Sequence, residues 1–210
     1  MNEIKPHQYE LFPDEKAPRT GGHYIIGLAG RAGAGKDTAA RRFMNRWGYR
    51  QYSFAQPLRD GLKAMFDMSD IEFGPDHKES PILNEVTFHS ARFLMQTLGT
   101  EWGRNVVQTD IWLRVAEHRI NQFKSPYVVI SDVRFPNEAE WISRKGGIVL
   151  WVERDRDNML SSEAAQHVSE SMIESGDADG VIDNNGTVAQ LNTEVDEWVA
   201  AMGWRLRNYV

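Results

Sequence analysis

Apolar residues along this chain follow two rhythms. Nearly unbroken apolar runs at 24–29, 127–130 and 148–152 predict strands buried on both faces, as in a parallel sheet covered by helices. Shorter runs at 49–54 and 181–182 bring the predicted sheet to about five strands. Between them the spacing turns helical. Ala39, Phe43 and Trp47 share one face of a first helix that Gly48 stops, and Leu58, Leu62, Met65 and Phe66 share one face of a second that opens at Pro57. A third places Phe88, Ala91, Leu94, Met95 and Leu98 towards a core, with His89, Arg92 and Gln96 on another face, and should end at Gly99 and Thr100. Trp112 follows in a further helix, where spacing suits its indole to a core as well as to stacking on a base. The last helix has Thr187 as N-cap, a stripe of Val188, Leu191, Val195, Trp198 and Met202, and Gly203 as its stop. Strands alternating with helices imply right-handed crossovers and a three-layer α/β fold.

Three segments lack either rhythm. Residues 1–22 mix proline and charge before a Gly-Gly pair and read as a mobile tail, leaving 23–210 as one domain. The polar, turn-rich 67–86 and the charged 154–177 are long for plain loops in a compact domain, so lids or binding loops are expected there. Nothing resembles a signal peptide, an organelle address or a membrane span, and the 210 residues contain no cysteine, which together point to the cytosol. A net charge of −6 argues against a duplex-binding module, while a small anion held by a few arginines stays open.

The chemistry centres on "GLAGRAGAGKDTAARRF", residues 27–43. Gly30, four further residues, Gly35 and Lys36 match a phosphate-binding loop as far as the lysine, set between a buried strand and a helix. Glycines let backbone N–H groups curl around phosphate, the helix start adds its positive dipole end, and the lysine reaches terminal oxygens. A turn that bound nothing would need no lysine at that offset. Where Ser or Thr usually follows the lysine, Asp37 intervenes and Thr38 comes second. Asp37 could hold a metal-bound water or simply favour the helix start.

Asp132, in "SDVRFPNEAE", lies past the carboxyl end of a buried strand, where ligands of open α/β sheets collect and a carboxylate can orient Mg²⁺ or its waters. Arg134, two residues on, is suited to offset charge on a transferring phosphoryl group. Arg59 stands in the first turn of the second helix, either near a phosphate acceptor or as a solvated charge; Arg92 and Gln96 leave the same choice open. His167 and Arg156 lie in the charged segment with Arg154, and a histidine between glutamine and valine implies no metal site.

Taken in order, the glycine loop, "SFAQPLRDGLK", "RFLMQTLGTEWGR", "DIWL", "SDVRFPNEAE", "WVER" and "HVSE" make residues 24 to 195 resemble bacteriophage-type deoxynucleoside monophosphate kinases. The resemblance implies a P-loop, nucleoside-monophosphate-kinase-like α/β fold with a lid at about 154–177, and transfer of the γ-phosphoryl of ATP to a deoxynucleoside monophosphate with Mg²⁺. It implies that Gly30, Gly33, Gly35, Lys36, Asp37 and Thr38 hold donor phosphates, and that Leu58, Arg59, Arg92, Gln96, Gly99 and Trp112 form the acceptor side. Asp132 and Arg134 match a catalytic Asp, any residue, Arg element, with Asp37, Thr38 and Asp132 as metal-side groups, and Arg154 and 167–170 fall in the lid that contacts ATP. The "KDT" order is then a family trait. The 67–86 segment is short beside the insertion of such phage enzymes, which leaves base selectivity open. Small nucleotides are the expected partners, with no nucleic acid and no membrane; homodimerisation is left open, and the compartment would be the host cytoplasm for a phage-encoded chain. Two other readings use the same loop: a kinase for another small acceptor, such as dephospho-coenzyme A, and a non-catalytic nucleotide-binding switch.

Overall fold

The computed structural model describes residues 23–74, 76–82, 86–154 and 172–202. Two compact units emerge, one of Met1–Gln51 with Phe123–Val210 and one of Tyr52–Gln122. His167, Arg156, Gly203, the tail and most of the expected lid lie outside the described residues.

The sheet has five strands, β1 (Tyr24–Ala29), β2 (Arg50–Tyr52), β3 (Tyr127–Ile130), β4 (Ile148–Glu153) and β5 (Gly180–Asp183), in the order β2-β3-β1-β4-β5. The β1–β3, β1–β4 and β4–β5 pairs are parallel, so the expected α/β architecture is borne out. β1 stands at the centre, which explains its unbroken apolar run. One face of the sheet, with Ile26, Leu28, Val129, Leu150 and Ile182, is covered by α1 (Lys36–Trp47) and by the last helix, Val188–Ala201. The other face meets α5 (Pro136–Arg144), whose Ile142 packs so close over Gly27 that an added Cβ there would lie 2.7 Å from it.

Hydrophobic runs misjudge strand ends where the outer residues are polar. β4 extends to Glu153 and β5 to Asp183 because these two are register partners. β2 is shorter than the expected 49–54, since the chain turns at Ser53, whose carbonyl accepts from Gln56 N at 3.1 Å, into a helix. The last helix, α6 here, is capped as expected: Thr187 accepts from Gln190 N at 3.3 Å and its own N–H donates to Gln190 Oε1 at 2.7 Å. Val188, assigned to the buried stripe, is 61% exposed in the first turn beyond that cap. Across the α1–α6 contact, Asp196 accepts from Arg42 through both carboxylate oxygens and from Trp47 Nε1 at 2.9 Å.

The second unit contains α2 (Gln56–Phe66), α3 (Ala91–Gln96), a π-helix over Thr97–Val107 and α4 (Ile111–Ile120) around Leu62, Met68, Ile82, Ala91 and Leu94. Met65, placed on the buried face of α2, is 55% exposed. Phe88 is 76% exposed, because the helix begins only after Ser90, whose hydroxyl accepts from Phe93 N at 3.2 Å. His89 therefore lies ahead of the helix, stacked on Phe93 at 4.3 Å. Nor does the helix stop at Gly99 and Thr100; it widens and continues, with Gly99 O accepting from Trp112 Nε1 at 2.7 Å and Gly103 set against the Trp112 ring. The polar 67–86 stretch is organised in part: Ile71–Phe73 forms a 3₁₀ turn, and Lys78 O accepts from Arg92 N at 2.9 Å.

Candidate active site

The glycine loop leaves the carboxyl end of β1 and returns as α1. Gly30, Gly33 and Gly35 take φ of +134°, +79° and +100°, values that L side chains rarely adopt. Space also demands glycine. A Cβ on Gly30 would lie 2.5 Å from the carbonyl of Val152 in β4, and one on Gly35 would fall on the side-chain nitrogen of Asn184. No side chain caps α1, as anion binding at a helix start requires. The ammonium of Lys36 folds back to donate to Gly30 O at 2.6 Å and Arg31 O at 2.7 Å. A cation thus sits against two loop carbonyls, next to a positive helix end.

Around this loop the sheet places three further expected residues. Val133 N donates to Leu28 O at 3.1 Å, which fixes half-buried Asp132 beside the end of β1. Exposed Arg134 is held through its backbone: Glu138, 1% exposed, accepts from Arg134 N at 2.8 Å and Phe135 N at 3.1 Å, and Ile173 N donates to Arg134 O at 2.9 Å. Arg154 follows β4 two residues after Val152, the strand end that abuts Gly30. Lys36, Asp132, Arg134 and Arg154 all belong to the first unit.

The metal-side groups are few. Asp37 is exposed and the Thr38 hydroxyl accepts from Arg41 Nη2 at 3.1 Å. Among the described residues no group of three or more His, Cys, Asp or Glu side chains gathers as a metal-ion cluster. Such a set, one hydroxyl and two separated carboxylates, suits Mg²⁺, which keeps waters and takes substrate phosphates rather than a cage of protein ligands.

The acceptor-side candidates belong to the second unit. Leu58 is buried, and a Cβ on Gly99 would come within 3.0 Å of its Cδ1. Trp112 is buried as well; its indole donates to Gly99 O at 2.7 Å and its ring covers Gly103. Leu58, Gly99 and Trp112 are therefore one packed set. Arg59, in the first turn of α2, is half-buried with its Nε shielded and without a hydrogen-bond partner. Beside it Asp60 is held below the usual carboxylate range: burial pushes it up, but hydrogen bonds from Gln56 and Arg119 outweigh that. Arg92 and Gln96 both face solvent, one turn apart, and Arg92 pairs with Glu79.

A sequence profile of the family described as deoxynucleotide monophosphate kinase matches residues 68–195. The chain belongs to this family. A putative deoxynucleotide monophosphate kinase of Acanthamoeba polyphaga mimivirus is 30% identical over 184 residues, covering 81% of this chain and 93% of the viral one. The deoxynucleoside-5′-monophosphate kinase of Escherichia phage T5 is 30% identical over 176 residues, covering 55% of this chain and 70% of its own. The resemblance drawn from the ordered motifs is borne out, and membership makes the chain a phosphotransferase. TT1252 from Thermus thermophilus shares its fold at TM-score 0.51 and 19% identity, over 85% of this chain and 97% of that one. The dephospho-CoA kinase of Campylobacter jejuni does so at TM-score 0.50 and 16% identity, over 84% and 95%. Among the described residues of this kinase no helix is long and apolar enough to cross a membrane.

Two supports of the site escaped the motif reading. Glu138 had a local signal: Pro136 followed two residues later by an acid marks a helix start whose carboxylate reaches back to the preceding amides. Asn184 had a positional one, lying just past the carboxyl end of β5.

Proposed function

We propose that this kinase moves the γ-phosphoryl group of ATP onto the 5′-phosphate of a deoxynucleoside monophosphate. An acceptor phosphate oxygen attacks the γ-phosphorus, the bond to the β–γ bridging oxygen breaks, and ADP and the deoxynucleoside diphosphate leave. Positioning and charge compensation carry the catalysis. The observation that supports this most is the Lys36 ammonium folded into the glycine loop at the head of α1 in a chain of this family.

Lys36 exchanges a loop carbonyl for donor phosphate oxygens and follows the charge on the group in flight. The amides of Gly33, Gly35 and the first turn of α1 cradle the donor's phosphates, with Gly30 giving the loop its bend. Arg134, presented by its Glu138-held turn, offsets charge on the transferring group. Asp132, Asp37 and the Thr38 hydroxyl would hold Mg²⁺, directly or through water, and the ion would supply charge neutralisation for the donor's phosphates. Arg59, Arg92 and Gln96 recognise the acceptor's phosphate and base, while Leu58, Gly99 and Trp112 build the wall behind them. Arg154, just past the end of β4, contacts the donor nucleotide. The kinase works in the cytoplasm on small nucleotides, without nucleic acid or membrane.

The test is a coupled assay of ADP release with ATP and Mg²⁺ and each of the deoxynucleoside monophosphates in turn, with dephospho-coenzyme A as the rival acceptor. Saturable turnover with at least one deoxynucleotide is expected. ATP binding without turnover on any of them would defeat the assignment, and turnover only on dephospho-coenzyme A would transfer it to the rival.

A further inference from the structure

Asn184 stands apart from every motif above, yet its side chain is built into the phosphate loop. It follows β5 directly, is buried, and is anchored by its own backbone N–H donating to Glu153 O at 2.9 Å, so the ends of β4 and β5 hold it together. From there its amide nitrogen Nδ2 donates to Ala34 O at 2.7 Å, 150 residues away in sequence. That amide occupies the space a Cβ on Gly35 would need.

Peptide planarity turns this one bond into control of the next donor. The carbonyl of Ala34 and the N–H of Gly35 belong to one trans peptide group and point in opposite directions. Holding the carbonyl towards Asn184 therefore aims the Gly35 N–H away from Asn184, on the side where the loop takes phosphate. Gly35, at φ +100° and without a Cβ, has soft dihedrals that would otherwise let this plane rotate. We propose that Asn184 is a positioning residue for the phosphate loop: by fixing the Ala34–Gly35 peptide plane it sets the donor-nucleotide affinity. This rests on the reading of that loop as the triphosphate site.

The role needs a donor at that position, not merely a side chain of the right volume. Asn184→Asp keeps the shape but sets a carboxylate against the Ala34 carbonyl; Asn184→Ala removes the contact. A packing role ranks Asp as the milder change, and the positioning role ranks it as the more severe.

The experiment measures ATP affinity by calorimetry and steady-state KM for donor and acceptor in wild type, Asn184→Ala and Asn184→Asp, with melting temperature as the fold control. Asn184→Ala should weaken ATP binding about three- to tenfold, as loss of one buried hydrogen bond does, with acceptor KM changed less than about twofold. Asn184→Asp should weaken it further. In addition, Gly35→Ala should cost at least about threefold less ATP affinity in the Asn184→Ala background than in wild type, because the obstructing amide is gone. Equal or better ATP binding by Asn184→Asp than by Asn184→Ala, parallel losses in donor and acceptor KM, or strictly additive effects with Gly35→Ala would each overturn the proposal. A wild type that binds ATP but phosphorylates no deoxynucleotide defeats the acceptor assignment alone, and the affinity series still decides the role of Asn184. A wild type that binds no triphosphate overturns both.

Discussion

The ammonium of Lys36 donates to the carbonyl of Gly30 at 2.6 Å, joining the last residue of the glycine loop's fingerprint to its first. The same ammonium donates to Arg31 O at 2.7 Å, so the loop presents a half-buried cation already engaged by two backbone carbonyls. Phosphate oxygens can take over those bonds with little reorganisation, which is the condition for electrostatic stabilisation to reach the transition state. Lys36→Met should therefore lower kcat by about 10²–10³-fold. ADP release under saturating ATP checks it, and an unchanged melting temperature separates lost chemistry from lost fold.

Glu138 is almost fully buried and accepts from the amides of both Arg134 and Phe135. Glu138→Ala would leave two amide donors without their acceptor, at about 1–3 kcal/mol each. The turn that carries Arg134 should loosen, so melting temperature and kcat fall together. Glu138→Gln keeps a carbonyl acceptor and should retain most of both. Thermal melts alongside turnover on the three proteins test the ranking.

Which parts of the molecule were legible in sequence follows from how local their causes are. β1 and β3 were read to the residue because both strands are interior and fully apolar, and Thr187 was read as a cap because its partner Gln190 is three residues away. The glycine loop was equally local: strand, φ-permissive residues, lysine and helix are consecutive. Phe88 falls outside the core because periodicity marks what could be buried, whereas the Ser90 cap decides where α3 begins; Met65 on α2 fits the apolar spacing and is nonetheless 55% exposed. Continuation past Gly99 was hidden for another reason. The widened helix meets Trp112, thirteen residues on, and no pattern within the segment encodes that. Asn184 is the extreme case, meeting Ala34 across 150 residues.

Trp112 controls the second unit's wall through two glycines. Its Nε1 donates to Gly99 O at 2.7 Å, and a Cβ on Gly103 would lie 2.5 Å from its Cζ2. Gly103→Ala must displace a buried indole, a strain of about 1–3 kcal/mol. Gly99→Ala meets only Leu58 Cδ1, at 3.0 Å, at the end of a flexible side chain, and should be milder. Trp112→Phe should destabilise by at least about 1 kcal/mol, from the lost hydrogen bond and the unfilled volume. Denaturant unfolding of the three variants tests the order, and acceptor KM should rise most in Gly103→Ala if this packing shapes the acceptor side.

Asp196 gives the first unit a defined dependence on pH. The hydrogen bonds from Arg42 hold its carboxyl below the usual range; partial burial opposes this, and Trp47 Nε1 and the charges of Arg42 and Arg46 add to the lowering. A carboxyl whose folded pKa lies below its unfolded value binds protons more readily when unfolded. Its contribution is therefore complete above the ordinary aspartate value of about 4 and is lost as pH falls through the lower folded value. Asp196→Asn removes the charge while keeping most of the shape. The variant should melt below wild type at pH 7, and the gap should shrink as pH drops below about 4, because protonation makes the wild-type carboxyl a neutral group like the amide. Calorimetric melts of both proteins across that interval test the claim, and a gap that stays constant with pH would assign the pair no charge-dependent role.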